Sequence, residues 1–411
     1  MTGSILDAPD DTDWRSLALL YAANVLFAAG LFAHAFLFNF YIRELQLSAA
    51  VMGHQVAAMT LGGLCALLPA GVVIDRVGLR VALVGGVTVT TLGLALTAIA
   101  RGPTGIYVAA FGIGLGGATC RVAWGPAIMR LTSASSRPRA FTWNAAILIA
   151  TGSGWTWLAG ELPSWGSLRP AAGLSATQVV LLAGAAVTLA AVPCYGALRL
   201  PSTRAPQERP SVGGLALPAE SRALIPLIAF WMLAAALVLP FFNVYFVDHF
   251  RMEVPWVGSM FAIAHVVTAI ALVGAAELAR RWGPKPMLVV WMVVFVPTLV
   301  LLSQTETLGL AVALYFLQGV IAPATNPLID QLLLERSPRE RHGIVAGWRN
   351  AAAEGAGAVG ASGGGRLLDG GSFSLLFMVA GGVAAASAAL LTGALRAHAP
   401  SLPHVRRREP A

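Results

Sequence analysis

The side chains able to do chemistry in this sequence are a small set of ionisable and amide groups inside long apolar runs. They are Arg121, Arg349, Glu161, Asp330, Glu354, His34, His265, Asn39, Asn243 and Asn326. A guanidinium binds carboxylate or phosphate groups, and a carboxyl that loses its hydration takes up a proton more readily. The set therefore predicts solute binding and proton transfer. Neither a cofactor nor a metal ion is expected.

Arg121 is the most informative of these residues. It lies about sixteen residues into its apolar run, which at about 1.5 Å per residue places it past the middle of a membrane-spanning helix. Its planar fork is suited to an anionic group of a substrate. The alternative is a structural ion pair with an acid on a neighbouring helix, for which Glu161 and Glu354 are the candidates. Both interpretations stay open from the sequence.

Three acids are candidates for proton coupling. Glu354 lies roughly midway along a glycine-rich run, where desolvation suits a carboxyl to proton uptake, or where it could pair with Arg121 or Arg349. Asp330 and Arg349 lie on consecutive runs at similar depth, which favours a structural or gating salt bridge over a role in coupling. Glu161 is the third candidate.

The neutral polar groups are candidates for substrate contacts. His34 and His265 could bind substrate or protons, or could simply hydrogen-bond to a neighbouring helix. Asn39 and Asn243 come at equivalent places near the outer ends of their runs, where they could bind substrate, form an outer gate or hydrogen-bond across the molecule. Asn326 is a further candidate for substrate binding.

The elements that must position these residues are membrane-spanning helices. Apolar residues make up 57% of the 411 residues and charged residues 11%, against roughly 25% charged residues in soluble domains. Apolar runs close to the span of a bilayer recur about twelve times. They cover 16–42, 49–73, 81–100, 105–131, 140–162, 176–198, 223–247, 255–279, 286–303, 307–334, 343–366 and 372–396. The expected fold class is an all-α polytopic membrane protein.

Lys and Arg residues are distributed unequally between the two sets of loops. Of the 27, 20 fall on the side that carries both tails and 5 on the other, so both tails are expected in the cytoplasm and the protein in the plasma (inner) membrane. The net charge of +8 then records topology and predicts no nucleic-acid partner. The expected organisation is a tail (1–15), a six-helix bundle (16–198), a cytoplasmic linker (199–222), a second six-helix bundle (223–396) and a basic tail (397–411).

An internal repeat supports the division into two bundles. Phe38-Asn39-Phe40-Tyr41 recurs as Phe242-Asn243-Val244-Tyr245, 204 residues later. The stretch from Arg76 to Arg80 recurs from Arg281 to Lys285 with an offset of 205, and Asn144-Ala145-Ala146 recurs as Asn350-Ala351-Ala352 with an offset of 206. A nearly constant offset over three pairs of helices predicts two duplicated halves in parallel orientation.

The loop after the second run carries a family motif. The stretch Gly71-Val72-Val73-Ile74-Asp75-Arg76-Val77-Gly78-Leu79-Arg80 resembles the G-x-x-x-D-R-x-G-R-[KR] signature of the major facilitator superfamily. The stretch from Glu335 to Gly343 is similar to the superfamily's E-x-x-P-x-x-R-x-G loop. The resemblance implies two pseudo-symmetric six-helix bundles around a central cavity. It also implies a gating role, as a latch between the halves, for Gly71, Asp75, Arg76, Gly78 and Arg80, to which the Asp330–Arg349 pair adds Arg349.

The resemblance and the buried charges together predict a secondary active transporter. The expected substrate is a small organic solute with an anionic group, moved by alternating access with proton coupling, and the expected unit is a monomer in the lipid bilayer. Two alternatives stay open: a proton-driven exporter of hydrophobic drugs, and a receptor-like relative that transports nothing. The drug exporter is disfavoured because such antiporters carry G-P-x-x-G-G in the fifth helix, whereas here Gly154 is followed by Trp155.

Overall fold

The computed structural model describes residues 12–164, 173–200, 217–338 and 341–397. The expected tails and most of the expected linker lie outside these residues. Twelve long helices follow one another along the described chain, and the short segments between them contain turns and no strand. The all-α prediction is confirmed.

The helices keep close to the predicted apolar runs. We number them α1 to α12 in chain order: Trp14–Glu44, Ala49–Val77, Leu79–Ile99, Pro103–Leu131, Arg137–Glu161, Ala176–Gly196, Leu224–Phe250, Val254–Trp282, Pro284–Gln304, Leu308–Leu334, His342–Gly370 and Phe373–Ala397. Because the number of helices is even, α1 begins and α12 ends on the same side of the bundle. We call this the terminus side and the opposite one the far side.

Ten helices of the described chain are long and apolar enough to cross a membrane by length and composition. The two long helices outside this group are α5 and α11, which are less apolar than the other ten. Each packs across the molecule against a helix of the other half, α5 against α8 and α11 against α2. Small and polar residues on α5 and α11 are therefore explained by contact with protein and with the space between the halves, where an apolar surface is not required.

The repeat seen in the sequence recurs in the structure. Gly78 and Gly283, 205 residues apart, make the tight turns from α2 to α3 and from α8 to α9 with φ of +91° and +89°, a backbone conformation that glycine adopts without a steric penalty. The Tyr41 hydroxyl on α1 donates to the Ala98 carbonyl at 3.0 Å, and the Tyr245 hydroxyl on α7 donates to the Leu302 carbonyl at 3.2 Å. The same side chain thus ties the first helix of each half to the end of its third.

Candidate functional site

A cavity of about 680 Å³ lies between the two halves. This volume is typical of sites for drug-sized organic molecules. Helices of both halves contribute to it: α1, α2, α4 and α5 from the first, and α7, α8 and α11 from the second. The cavity is therefore built by the interface between halves, as the resemblance implies.

Helical periodicity explains which side chains reach the cavity. On α2 the cavity is lined by Gln55, Met59 and Gly63, and on α4 by Ile113, Gly117 and Arg121, in each case at intervals of four residues. Residues four apart lie on one face of a helix, so each helix presents one stripe to the cavity. Most of the wall is apolar. The aromatic side chains that α1 adds to it are Phe27, Phe32, Phe36 and Phe38.

Arg121 faces the cavity. Among the residues that the structure describes, none forms an ion pair or a hydrogen bond with its guanidinium, and the side chain is exposed to the cavity. The glycines beside it leave it room: a Cβ at Gly117 would lie 3.4 Å from Nη1, and one at Gly63 would lie 3.9 Å from Nη2. The alternative of a structural ion pair with Glu161 or Glu354 is therefore not what this conformation contains.

Glu354 lies on the opposite wall, also without a partner among the described residues. Its depth can be read from the packing of α2 on α11. Gly53 of α2 contacts the backbone of Ala361 on α11, since a Cβ added at Gly53 would lie 2.0 Å from the Ala361 carbonyl oxygen. Glu354 lies seven residues, about 10 Å, from Ala361 toward the terminus side of α11. The same distance along α2 from Gly53 leads to Thr60, so Glu354 and Thr60 lie at about the same level. Thr60 is one turn from Gly63, beside the Arg121 guanidinium. Arg121 and Glu354 thus lie at about the same depth, on helices of different halves.

The histidines also line the cavity. His34 is 4% exposed and its Nε2 has no hydrogen-bond partner among the described residues. The ring of His265 lies beside the Gly152 backbone and edge-on to the ring of Phe32, with centroids 5.7 Å apart. Both residues are therefore part of the cavity wall.

Asn39 and Asn243 close the far end of the cavity. The Nδ2 group of Asn39 donates to Asn243 Oδ1 at 2.8 Å and to the Pro240 carbonyl at 2.6 Å, and Asn243 Nδ2 donates to the Phe36 carbonyl at 2.9 Å. Pro240 lies in a 3-10 turn, Leu239–Phe241, that interrupts α7. Because proline has no N–H and breaks the helical ladder, carbonyl groups at this break accept bonds from outside α7. The two asparagines thus bond across the halves and to the α1 and α7 backbones.

Two further contacts seal the far side, and neither was predicted. Arg43 on α1 donates through both Nη atoms to both carboxylate oxygens of Asp248 on α7. Asp369, at the end of α11, accepts from the N–H groups of Ala49 at 2.5 Å and Ala50 at 3.0 Å, the first residues of α2. Backbone N–H groups at a helix start have no partner within the helix, so the cap that α2 needs comes from the other half.

The halves separate toward the terminus side. On α8 the buried residues end at Ala264, and on α11 all but one of them lie at Gly360 or beyond. A close contact of α5 with α8 joins Gly160 to Gly258, both near the far side, whereas Gly274 on α8 has open space around it. Trp143 and Trp348, near the terminus-side ends of α5 and α11, are 52% and 46% exposed. The cavity is therefore closed on the far side and open on the terminus side.

Arg349 belongs to a separate polar cluster inside the second half. Its Nε lies 2.8 Å from Asp330 Oδ1, its Nη2 donates to Asn326 Oδ1 at 2.7 Å and its Nη1 to Asn350 Oδ1 at 3.1 Å. This geometry fits the salt-bridge interpretation of Asp330 and Arg349. Within the described residues, Asn326, Asp330 and Glu161 do not line the cavity in this conformation. Asn326 and Asp330 lie on the part of α10 that contacts Arg349, and Glu161 is the last residue of α5. Their expected contacts with substrate or protons stay predictions.

The predicted latch is seen only in part. Gly78 makes the turn described above, Arg76 is exposed, and Arg80 donates to the Leu198 carbonyl at the end of the same half. The side chain of Asp75 and the packing of Gly71 lie outside what the structure describes. A latch between the halves stays a prediction.

A sequence model of the Major Facilitator Superfamily matches residues 20–289 and 224–411 of this chain. The chain belongs to this superfamily. Family and fold together make it a multi-pass membrane transporter of the major facilitator type, as the loop motif implied. No curated protein matches the sequence.

Solved transporters share the major facilitator fold seen here. A point mutant of the nucleoside transporter NupG superposes with a TM-score of 0.77 at 13% identity, over 92% of this chain and 99% of that one. A bacterial homologue of the human lysosomal transporter Spinster, inward-facing and unoccupied, gives 0.69 at 13% identity over 92% and 94%. A bacterial homologue of the iron transporter ferroportin, inward-facing, gives 0.68 at 17% identity over 92% and 98%. At such identities the likeness concerns the fold alone.

Proposed function

We propose that the protein is a proton-coupled secondary transporter of a small organic anion, working by alternating access. One observation carries the proposal: Arg121 and Glu354, on opposite halves, face the same cavity at about the same depth without a partner in the described structure. A charge left unpaired in a site that must close against water is unfavourable. The substrate and a proton supply what the two groups lack.

The orientation of the cycle follows from the cationic loops. Because 20 of the 27 Lys and Arg residues fall on the terminus side, that side is proposed to face the cytoplasm. The conformation described above is then the inward-open one. A plasma-membrane location fits the same rule, and one chain acts as a monomer, since both halves of the cavity come from it.

Arg121 is proposed as the anchor of the anion. Its guanidinium always carries a charge and offers parallel N–H donors to a carboxylate or phosphate. When the terminus side closes, this group loses the water it now meets. A bound anion replaces that hydration and makes closure favourable.

Charge balance then explains coupling to protons. In the empty protein, closure can bring Arg121 and Glu354 together as a neutral pair. With an anion bound to Arg121, the Glu354 carboxylate has no counter-charge, and closure is unfavourable until it takes up a proton. The states that can close are therefore the empty one and the one that holds both anion and proton, which is the condition for symport.

The test uses purified protein and a panel of small carboxylates, phosphates, sugars, amino acids and apolar cations. Stabilisation by anionic members, lost in Arg121→Gln, is the expected result. Arg101→Gln, an exposed arginine in the far-side loop before α4, is the matched control and keeps the response. If Arg121→Gln binds the same compounds as tightly as the unmodified protein, the anchor is wrong.

Export of hydrophobic compounds is the second candidate, because most of the cavity wall is apolar. It predicts stabilisation by apolar cations that Arg121→Gln does not reduce. A receptor-like role without transport predicts binding but no uptake into liposomes under an imposed pH gradient. The same protein preparation thus distinguishes the three.

A further inference from the structure

Two buried polar groups that line the cavity have no hydrogen-bond partner among the described residues. Gln55 on α2 is 3% exposed and His34 on α1 is 4% exposed, and both line the cavity. Gln55 Nε2 and His34 Nε2 are buried and make no hydrogen bond with any described residue. Gln55 drew no functional prediction from the sequence.

Two other buried amides of the first half, by contrast, have hydrogen-bond partners. Gln178 Nε2 donates to the Ala98 carbonyl at 2.8 Å and to the Tyr41 hydroxyl at 3.3 Å. Asn24 donates to Asn144 at 2.7 Å and accepts from Tyr195 at 2.7 Å. Buried polar groups in proteins are almost always bonded, and an unpaired one beside a cavity indicates a missing partner in that cavity.

The spacing along α2 relates these groups to Arg121. Gln55 and Gly63 lie on the same stripe of α2. A Cβ added at Gly63 would lie 3.9 Å from Nη2 of Arg121. Eight helical residues separate the two positions, which is about 12 Å. The wall between them is mostly apolar, with Met59 on the stripe itself and Val56 beside it, and Thr60 adds one hydroxyl next to Gly63. The cavity thus has a charged end, a mostly apolar middle and an uncharged polar end.

We propose that Gln55 and His34 form a second binding subsite, which takes an uncharged hydrogen-bonding group of the same solute that Arg121 holds by its anionic group. This inference rests on the proposed function and names its substrate class. The solute is an elongated organic anion with a hydroxyl, carbonyl or amide oxygen about 12 Å from its carboxylate or phosphate and an apolar segment between. An amide N–H and an imidazole nitrogen can each pair with a hydroxyl, which both donates and accepts.

The probes are two matched series of linear carboxylates of increasing length, one ending in a methyl group and the other in a hydroxyl. Binding to the full chain in detergent is measured by calorimetry. In the unmodified protein we expect the hydroxyl-ended acid whose two ends are about 12 Å apart to bind about tenfold more tightly than its methyl-ended counterpart. Gln55→Met removes this preference and leaves the affinity for the methyl-ended acid unchanged.

Control variants separate the possible outcomes. Gln178→Met should lower the melting temperature, because it removes two hydrogen bonds, and should keep the preference for the hydroxyl. His34→Phe carries the same test as Gln55→Met should that variant fail to fold. A preference for the hydroxyl that survives in both Gln55→Met and His34→Phe, or that is absent from the unmodified protein, overturns the subsite. If Arg121→Gln binds both series as tightly as the unmodified protein does, the anion anchor is overturned instead.

Discussion

Arg43 on α1 and Asp248 on α7 join the two halves through a two-point ion pair on the far side. The two residues are 205 positions apart, the spacing of the internal repeat, so equivalent positions of the two halves carry opposite charges. A pair placed on the pseudo-symmetry axis is broken when the halves tilt apart. It therefore stabilises the conformation that is closed on the far side and contributes nothing to the other one.

Asp248→Asn should shift the protein toward the state that is open on the far side. Each partner is about one-third exposed, so the pair is worth about 1 kcal/mol and its loss changes the ratio of the two states about fivefold. The measurement is the distance between spin labels at Ser48 and Glu306, exposed positions on the far side of each half, in a cysteine-free background. Exchanging the charges, with Arg43→Asp and Asp248→Arg together, should restore the original distribution. An unchanged distribution in Asp248→Asn would mean that the pair does not hold this side closed.

Gly258→Leu should oppose closure of the far side. A Cβ at Gly258 would lie 2.9 Å from the Gly160 Cα, so a larger side chain separates α8 from α5. We expect a longer distance between the same two labels and slower transport. Gly274→Leu on the same helix is the matched control, since nothing lies within 4 Å of that position, and it should behave as the unmodified protein. Equal effects of the two substitutions would contradict the proposed contact.

Much of the fold was predictable from the sequence, since a bilayer imposes length and hydropathy on every span. The predicted runs differ from the helices by a few residues at most, and the repeat of Asn39 at Asn243 corresponds to a hydrogen bond between the two. Arg43 and Asp369 were missed because their partners lie in the other half, and only the packing of the halves brings them together. The repeat offset was the one available signal for Arg43.

The site was less predictable, for a geometric reason. Counting residues along a run gives the depth of a side chain but not the face of the helix that it occupies. Asn326 was therefore expected to contact substrate, whereas it bonds to Arg349 inside the second half. Gln55 drew no functional prediction because the sequence does not distinguish an amide that has a partner from one that lacks it.

Arg349→Met should destabilise the protein without weakening binding. It leaves Asp330 and Asn326 without their partner. Because the Asp330 side chain is 50% exposed and water can replace part of what it loses, the cost is about 1 kcal/mol. The free energy of unfolding in denaturant should fall by about that amount. In the described structure, Arg349 does not line the cavity. The affinity of the folded fraction for the anionic solute should therefore stay within a factor of about two. A large loss of affinity at unchanged stability would place Arg349 in the binding site after all.

Asp369→Ala should weaken the far-side closure by a different route. It removes the cap of α2, an effect worth about 1 kcal/mol for a helix start. Because the cap comes from the other half, the loss should appear as an increased population open on the far side, seen with the Ser48 and Glu306 labels. Asp369→Asn retains an acceptor and should have the smaller effect. A lowered melting temperature with no change in the label distance would make the cap purely structural.

The central claim is that one anion at Arg121 and one proton at Glu354 are bound together. The most direct measurement is the proton uptake that accompanies binding, followed with a pH-sensitive dye when a binding anion is added to the purified protein in weak buffer. The account predicts uptake of about one proton per anion bound, no uptake in Glu354→Gln, and unchanged uptake in Glu161→Gln. Anion binding to the unmodified protein without proton uptake, or with uptake that persists in Glu354→Gln, would contradict it.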